Sequence, residues 1–224
     1  MEIPRVIELN RAVIGQEDKV VFQSLDFEMV QAEVCYIIGK SGSGKSTLLK
    51  TLFGVLPLQG GKATIAGFDL AQLDQNTIPL LRRKIGMVFQ EFHLFDRWTV
   101  AQNLNYTLKA IEWKDEQKRQ NRVDEVLDQI KLMDKKNTPI HQLSGGEQQK
   151  VVIARAILNK PEIIIADEPT GNLDPQSSED IMELLYNVAT ENKTAILIAT
   201  HDYPLIEKFP ARTFKCDAGS LTEV

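Results

Sequence analysis

The sequence predicts an α/β fold: a parallel-sheet core, an N-terminal antiparallel β portion and a helical insertion subdomain. Three observations carry this. Short, almost wholly apolar runs at Val34–Ile38, Glu162–Ala166 and Thr194–Ala199 have the character of strands buried on both faces. A glycine-rich loop separates the first run from a helix-forming segment. No β-branched strand is evident between Phe92 and Lys160, where helical periodicity takes over. The chain reads as a single domain over 1–224, with a core lobe from 1–91 and 161–224 and a helical lobe from 92–160.

Each element has its own signal. Val6–Leu9, Val20–Phe27, Lys62–Ala66 and Ile85–Phe89 are strand-like runs, with Gly60-Gly61 and Gly67 as turns between them. A helix from Lys45 to about Val55 is stopped by Pro57. Thr99 caps a helix through Ala110. Val123, Val126, Leu127 and Ile130 form an apolar stripe along a helix over Asp115–Met133. Ser144 with Glu147 forms a capping box for a helix over Gly145–Leu158, closed by Pro161. Asp174-Pro175 is an N-cap with proline at N1 for a helix reaching about Glu191.

Composition narrows the function classes. With 224 residues the chain can bury a proper core. A net charge of −5 argues against nucleic acid as a partner. Cys35 and Cys216 lack metal-ligand spacing, and Cys35 lies in an apolar run, so reduced thiols are expected. Met1–Asn10 carries Glu2, Arg5 and Glu8 and resembles no secretory signal, and no apolar run reaches membrane-span length. The expected location is cytoplasmic.

The chemistry concentrates in a few segments. Gly39-Lys40-Ser41-Gly42-Ser43-Gly44-Lys45-Ser46-Thr47 satisfies G-x-x-x-x-G-K-[ST] between a strand and a helix, the context of a phosphate loop. Its backbone N–H groups curl around phosphates, Lys45 supplies a point charge, and Ser46 is placed to ligate Mg²⁺. Asp167-Glu168 ends a buried strand, where ligands of parallel sheets gather. Asp167 is expected to hold the magnesium, and Glu168 to orient or deprotonate the attacking water. Gln90, at the lobe boundary, is a candidate for magnesium or water contact. His201 follows a strand and can reach a γ-phosphate, whereas His93 and His141 read as loop residues. Leu143-Ser144-Gly145-Gly146-Glu147-Gln148 opens a second helix, and is a second candidate anion site. Gly171-Asn172-Leu173-Asp174 combines a turn with a helix cap.

In that order, these segments resemble the ATP-binding cassette (ABC) ATPases over essentially the whole chain. The resemblance implies ATP and Mg²⁺, hydrolysis, and a head-to-tail homodimer with two ATPs at its interface. The phosphate loop of one subunit would face Ser144, Gly145, Gly146 and Glu147 of the other, with Asp174 near the nucleotide. From the residues alone, the two anion sites could equally meet within one chain. Ile78–Gln90 and Asp96-Arg97-Trp98-Thr99-Val100 look like the FtsE group, which pairs with the membrane protein FtsX in cell division. Ala166–Asp174 fits equally the lipoprotein-releasing LolD and exporter MacB groups.

Two departures from the family pattern stand out. Val13, beside Ile14, occupies the place of the aromatic residue that stacks on adenine, and Phe22 is a possible substitute. Ala32-Glu33 replaces the usual Gly-Glu. The apolar residues Phe92, Leu94, Phe95 and Trp98 within Glu91–Trp98 divide between packing in the helical lobe and a groove for a helix of an FtsX-like permease. Such a partner would hold the chain on the inner face of the membrane. A nucleotide-gated binding module with little turnover is the competing reading. A DNA-repair or translation ATPase is disfavoured for want of large insertions or a second cassette, and a GTPase for want of an Asn-Lys-x-Asp motif.

Overall fold

The computed structural model describes residues 3–17 and 19–224; Glu2 of the charged opening segment lies outside them. The chain runs β1 (Arg5–Gln16), β2 (Lys19–Val30), β3 (Val34–Ile38), α1 (Lys45–Leu52), β4 (Gly60–Ile65), β5 (Phe68–Asp69), α2 (Thr77–Lys84) and β6 (Ile85–Val88). It continues through α3 (Val100–Ala110), α4 (Glu116–Gln129), α5 (Gly145–Ile157), β7 (Ile163–Asp167), α6 (Pro175–Asn192), β8 (Ala195–Thr200) and α7 (Tyr203–Lys208) to β9 (Arg212–Asp217) and β10 (Ser220–Glu223).

Two sheets organise these elements. An antiparallel sheet has the order β2-β1-β4-β5, and a six-stranded sheet the order β10-β9-β3-β8-β7-β6. In the latter, β3, β6, β7, β8 and β9 run parallel, while β10 returns antiparallel to β9. Side chains alternate across the parallel strands. Tyr36, Ile164 and Ile198 enter one buried cluster, and Ile37, Ile165 and Leu197 another. Both faces are therefore dry, which is why these strands read as continuous apolar runs. The core divides along this sheet and not along the lobe boundary: Leu104, Val126 and Val152 of the insertion share a cluster with Met182 and Leu185 of α6. Among the described residues no helix is long and apolar enough to cross a membrane.

Several expected boundaries move, each for a local reason. β1 continues past Leu9 to Gln16, because register shifts on either side of Ala12 absorb the polar break at Asn10-Arg11. Gly60-Gly61 lies inside β4, not in a turn. At Gly61 (φ 74) a Cβ would fall 2.0 Å from the Arg11 carbonyl oxygen, so glycine permits this close pairing. α1 stops at Leu52, since Gly54 turns the chain (φ 66) before Pro57 is reached. α4 ends at Gln129, with three residues between it and a 3₁₀ turn at Met133–Lys135. Elements α2, β5, α7, β9 and β10 lie in stretches where the residue pattern gave no sign of them.

Candidate active site

A cleft of about 840 Å³ opens at the carboxyl ends of the parallel strands. The phosphate loop lines it with Gly39, Lys40, Ser41, Gly42, Gly44, Lys45, Ser46 and Thr47, joined by Gln90, Asp167, Glu168 and His201. The structure thus brings these residues, singled out in the sequence, to one cleft.

The loop is shaped by glycine where side chains cannot fit. Gly44 caps α1 in a left-handed conformation (φ 112), and a Cβ there would meet Val21 Cγ1 at 2.5 Å. No side chain caps α1, so its first N–H groups stay available to an anion. Lys45 is buried, and its ammonium donates to the Gly39 carbonyl at 2.7 Å and the Lys40 carbonyl at 3.4 Å. Ser43 lies behind the loop with a buried hydroxyl that has no hydrogen-bond partner among the described residues.

Ser46 and Asp167 meet across the cleft: the Ser46 hydroxyl donates to Asp167 Oδ2 at 3.0 Å. Burial pushes the Asp167 carboxyl above its usual range. The Ser46 hydrogen bond and the charge of Lys45 oppose that shift, whereas Glu168 adds to it. A half-buried carboxylate beside a hydroxyl is a donor set suited to Mg²⁺. Among the described residues no group of three or more His, Cys, Asp or Glu could hold a metal ion. A cation here would complete its shell with phosphate oxygens and water, as Mg²⁺ does.

Glu168 sits one residue beyond β7 in a left-handed conformation (φ 49), uncommon for a side-chain-bearing residue. Its amide donates to the Ala199 carbonyl of β8 at 2.8 Å. Its carboxylate Oε1 lies 2.8 Å from His201 Nδ1. The expectation for His201 is a contact with a γ-phosphate; here it holds Glu168, and its other ring nitrogen is free for that task. Gln90 is tied to the loop after the carboxylates, its carbonyl accepting from Asn172 Nδ2 at 2.9 Å.

Other expected residues stand elsewhere. Val13 does not line the cleft; it packs against Gly60, and the Gln59 amide donates to its carbonyl at 3.0 Å. Phe22 is fully buried beneath Gly44 and cannot stack on a base. The register shifts in β1 instead bring Gln16 and Glu17, with Lys19 and Val21 of β2, to the cleft wall. Sequence reasoning missed these four, because a twisted hairpin decides which of its residues face the loop. Val21→Ala removes two carbons of a half-buried side chain, together worth about one fully buried methylene, and should weaken ATP binding about fourfold; Val13→Ala should not. Calorimetric titration of both variants checks this.

Asp174 also lies off the cleft. Both carboxylate oxygens are used to cap α6, accepting from the Ser177 amide at 3.0 Å and its hydroxyl at 2.6 Å. These bonds hold its carboxyl below the usual range. Ser144, Gly145, Gly146 and Glu147 form the expected capping box. The Glu147 amide donates to Ser144 Oγ at 3.2 Å, and the Ser144 amide to Glu147 Oε2 at 2.8 Å. They contribute nothing to the cleft lining of their own subunit. A Cβ on Gly146 would instead touch Ser177 Oγ at 3.0 Å.

Phosphate-binding amides, a hydroxyl–carboxylate pair and a histidine-held glutamate, gathered at strand ends, define a P-loop nucleotide triphosphatase. The chain belongs to the ABC transporter family, whose model matches residues 22–171, and it is an ATPase of that type, using ATP with Mg²⁺. It is 41% identical over 218 residues to the cell division ATP-binding protein FtsE of Escherichia coli K12, covering 97% of this chain and 96% of that one. It is 38% identical over 218 residues to FtsE of Streptococcus pneumoniae D39, covering 96% and 94%. Among solved structures it resembles cbiO1 of Clostridium perfringens, part of the transporter complex cbiONQ (TM-score 0.90, 29% identity, 98% of this chain and 87% of that one). It also resembles the dimeric ATP-binding cassette MJ0796 bound to ADP and Pi (TM-score 0.83, 30% identity, 97% of both chains).

Proposed function

We propose that the chain is an FtsE-type ATPase that dimerises around two Mg-ATP, hydrolyses them, and passes the resulting motion to an FtsX-like membrane permease. The observation that carries the dimer is the position of Ser144–Glu147. A helix N-terminus able to hold phosphate stands outside its own subunit's cleft, so its use is to complete a neighbour's. That MJ0796 was solved as a dimer supports the same arrangement.

Within each site the roles follow from position. Loop amides and Lys45 hold the β- and γ-phosphates; Ser46, Asp167 and Gln90 would hold Mg²⁺, which neutralises phosphate charge when bound. Glu168 accepts a proton from water as the water oxygen attacks the γ-phosphorus. The bond to the β–γ bridging oxygen breaks, leaving ADP and inorganic phosphate. His201 fixes the Glu168 carboxylate and faces the transferred phosphate with its free nitrogen. Lobe division at 92–160 matters here as the unit that moves, with α5 carrying the signature at its end.

The proposed docking surface surrounds Glu91–Trp98. Phe95 (47% exposed), Trp98 (37%) and Tyr106 of α3 (49%) form one exposed aromatic cluster, with Phe95 and Trp98 stacked at 4.4 Å. Phe92 and Leu94 pack inward against the core, which leaves Phe95 and Trp98 for the proposed groove. The surface is pre-organised. Asn103 accepts from the Phe95 amide at 2.8 Å and donates to its carbonyl at 3.2 Å. Arg155 donates to the carbonyls of His93 and Phe92. A rigid aromatic patch suits an apolar helix as an anchor. This surface supports the reading that a membrane permease holds the chain on the inner face of the membrane.

Capture of the full chain from detergent-solubilised membranes tests the assignment. Recovery of an FtsX-like permease is expected; recovery of a lipoprotein-releasing or exporter permease instead would overturn it. Phe95→Asp should lower that recovery at least tenfold while phosphate release by the isolated chain is unchanged.

A further inference from the structure

We propose that Gln149 is a positioning residue, coupling the signature helix α5 to Glu168 of the same subunit. The inference rests on the dimer and on the role of Glu168 given above. Gln149 is 1% exposed, and it lies within the first turns of the helix that Ser144 opens. Its Nε2 donates to the carbonyl of Pro169 at 2.6 Å, the residue directly after Glu168. Its Oε1 is buried and has no hydrogen-bond partner among the described residues.

The orphaned oxygen is the informative detail. A buried amide with one half unsatisfied is unfavourable, and an apolar side chain of the same shape would avoid that cost. The amide is therefore explained by the single bond it makes. That bond acts on a loop that needs external support. Glu168 is held in a left-handed conformation (φ 49), which a side-chain-bearing residue keeps only when its surroundings over-determine it. The supports are few: the Glu168 amide bonds to Ala199 of β8, and its carbonyl accepts from the Gly171 amide at 3.2 Å. Beside the His201 contact with the carboxylate, Gln149 supplies a third hold on the backbone, from the helix bearing the signature.

Movement of α5 thus reaches the glutamate through one rigid hydrogen bond. When Ser144 and its neighbours engage the nucleotide of the adjacent subunit, the Pro169 carbonyl follows α5 and Glu168 follows Pro169. Occupation of one site then adjusts the attacking-water geometry of the other.

Two near-isosteric variants test this. Gln149→Met and Gln149→Leu each remove both polar atoms and keep an apolar side chain in the same space. In each, kcat should fall about tenfold, the kinetic equivalent of one hydrogen bond. KM for ATP should stay within about twofold, because Gln149 does not line the cleft. The Hill coefficient for ATP hydrolysis should drop toward one. The melting temperature of Gln149→Met should change by less than about 4 °C, since one buried orphan replaces another. Glu168→Gln on its own must trap an ATP-bound dimer; if it does not, the dimer reading fails first. If it does, an unchanged kcat and Hill coefficient in both variants overturn the coupling. Loss of the fold in both variants also overturns it, because Gln149 would then be a structural residue only.

Discussion

Replacing Glu168 by Gln is expected to reduce ATP turnover by about 10²–10⁴-fold, the range for loss of a positioned general base, while leaving ATP binding intact. Gln has the shape of Glu, so the left-handed turn and the contact with His201 Nδ1 can persist. What disappears is the ability to take a proton from water. Because binding and hydrolysis are then separated, the closed assembly should accumulate. Each γ-phosphate gains charge-assisted hydrogen bonds from two subunits, and no chemical step is left to release them. Size-exclusion chromatography with Mg-ATP should show a dimer for Glu168→Gln and monomer without nucleotide. Phosphate release within tenfold of the unsubstituted chain would show that Glu168 is not the base. Turnover that is lost with no dimer would leave the base and refute the sandwich. The same assay separates an ATPase from a nucleotide-gated binding module, since only the former has turnover to lose.

How far the residues alone foretold this site depends on how local each signal is. The phosphate loop and the helix caps at Thr99 and Ser144 were legible because their hydrogen bonds close within a few residues, as between Ser144 and Glu147. The buried strands were legible because both faces of a parallel sheet demand apolar side chains. The contacts that join elements were not. His201 meets Glu168 across 33 residues only because β7 and β8 are neighbours in register, with Asp167 opposite Ala199. Gln149 reaches Pro169 only because α5 packs against that end of the sheet. At the cleft wall, the shifted register of β1 turned Val13 toward Gly60 and exposed Gln16 and Glu17. A one-residue slip exchanges the faces of a strand, and nothing in the residue pattern records it. The hairpin β9–β10 went unread for a related reason. Only Thr213, Phe214 and Cys216 of β9 are buried, and the strand gains its place from pairing with β3.

Lys45→Met should produce the other large effect, and it acts on binding. The ammonium lies at the floor of the loop, bonded to the Gly39 and Lys40 carbonyls. Within reach of the β- and γ-phosphates it provides charge-assisted bonds worth about 1.5–3 kcal/mol each. Two such bonds lost correspond to a rise in the dissociation constant for ATP of about 10²–10⁴-fold. Met retains the apolar stem of this buried side chain, so the ligand-free fold should survive. Thermal denaturation distinguishes the two effects cleanly. At an ATP concentration about 100 times its dissociation constant, the unsubstituted chain gains about 2.7 kcal/mol from binding. Lys45→Met at the same ATP concentration should gain almost none of it, while its melting temperature without ATP stays close to that of the unsubstituted chain. A variant stabilised by ATP as strongly as its parent would mean that the loop amides alone hold the triphosphate. The N-terminus of α1, where Gly44 offers no side-chain cap, would then supply most of the grip on phosphate, and Lys45 would serve catalysis only.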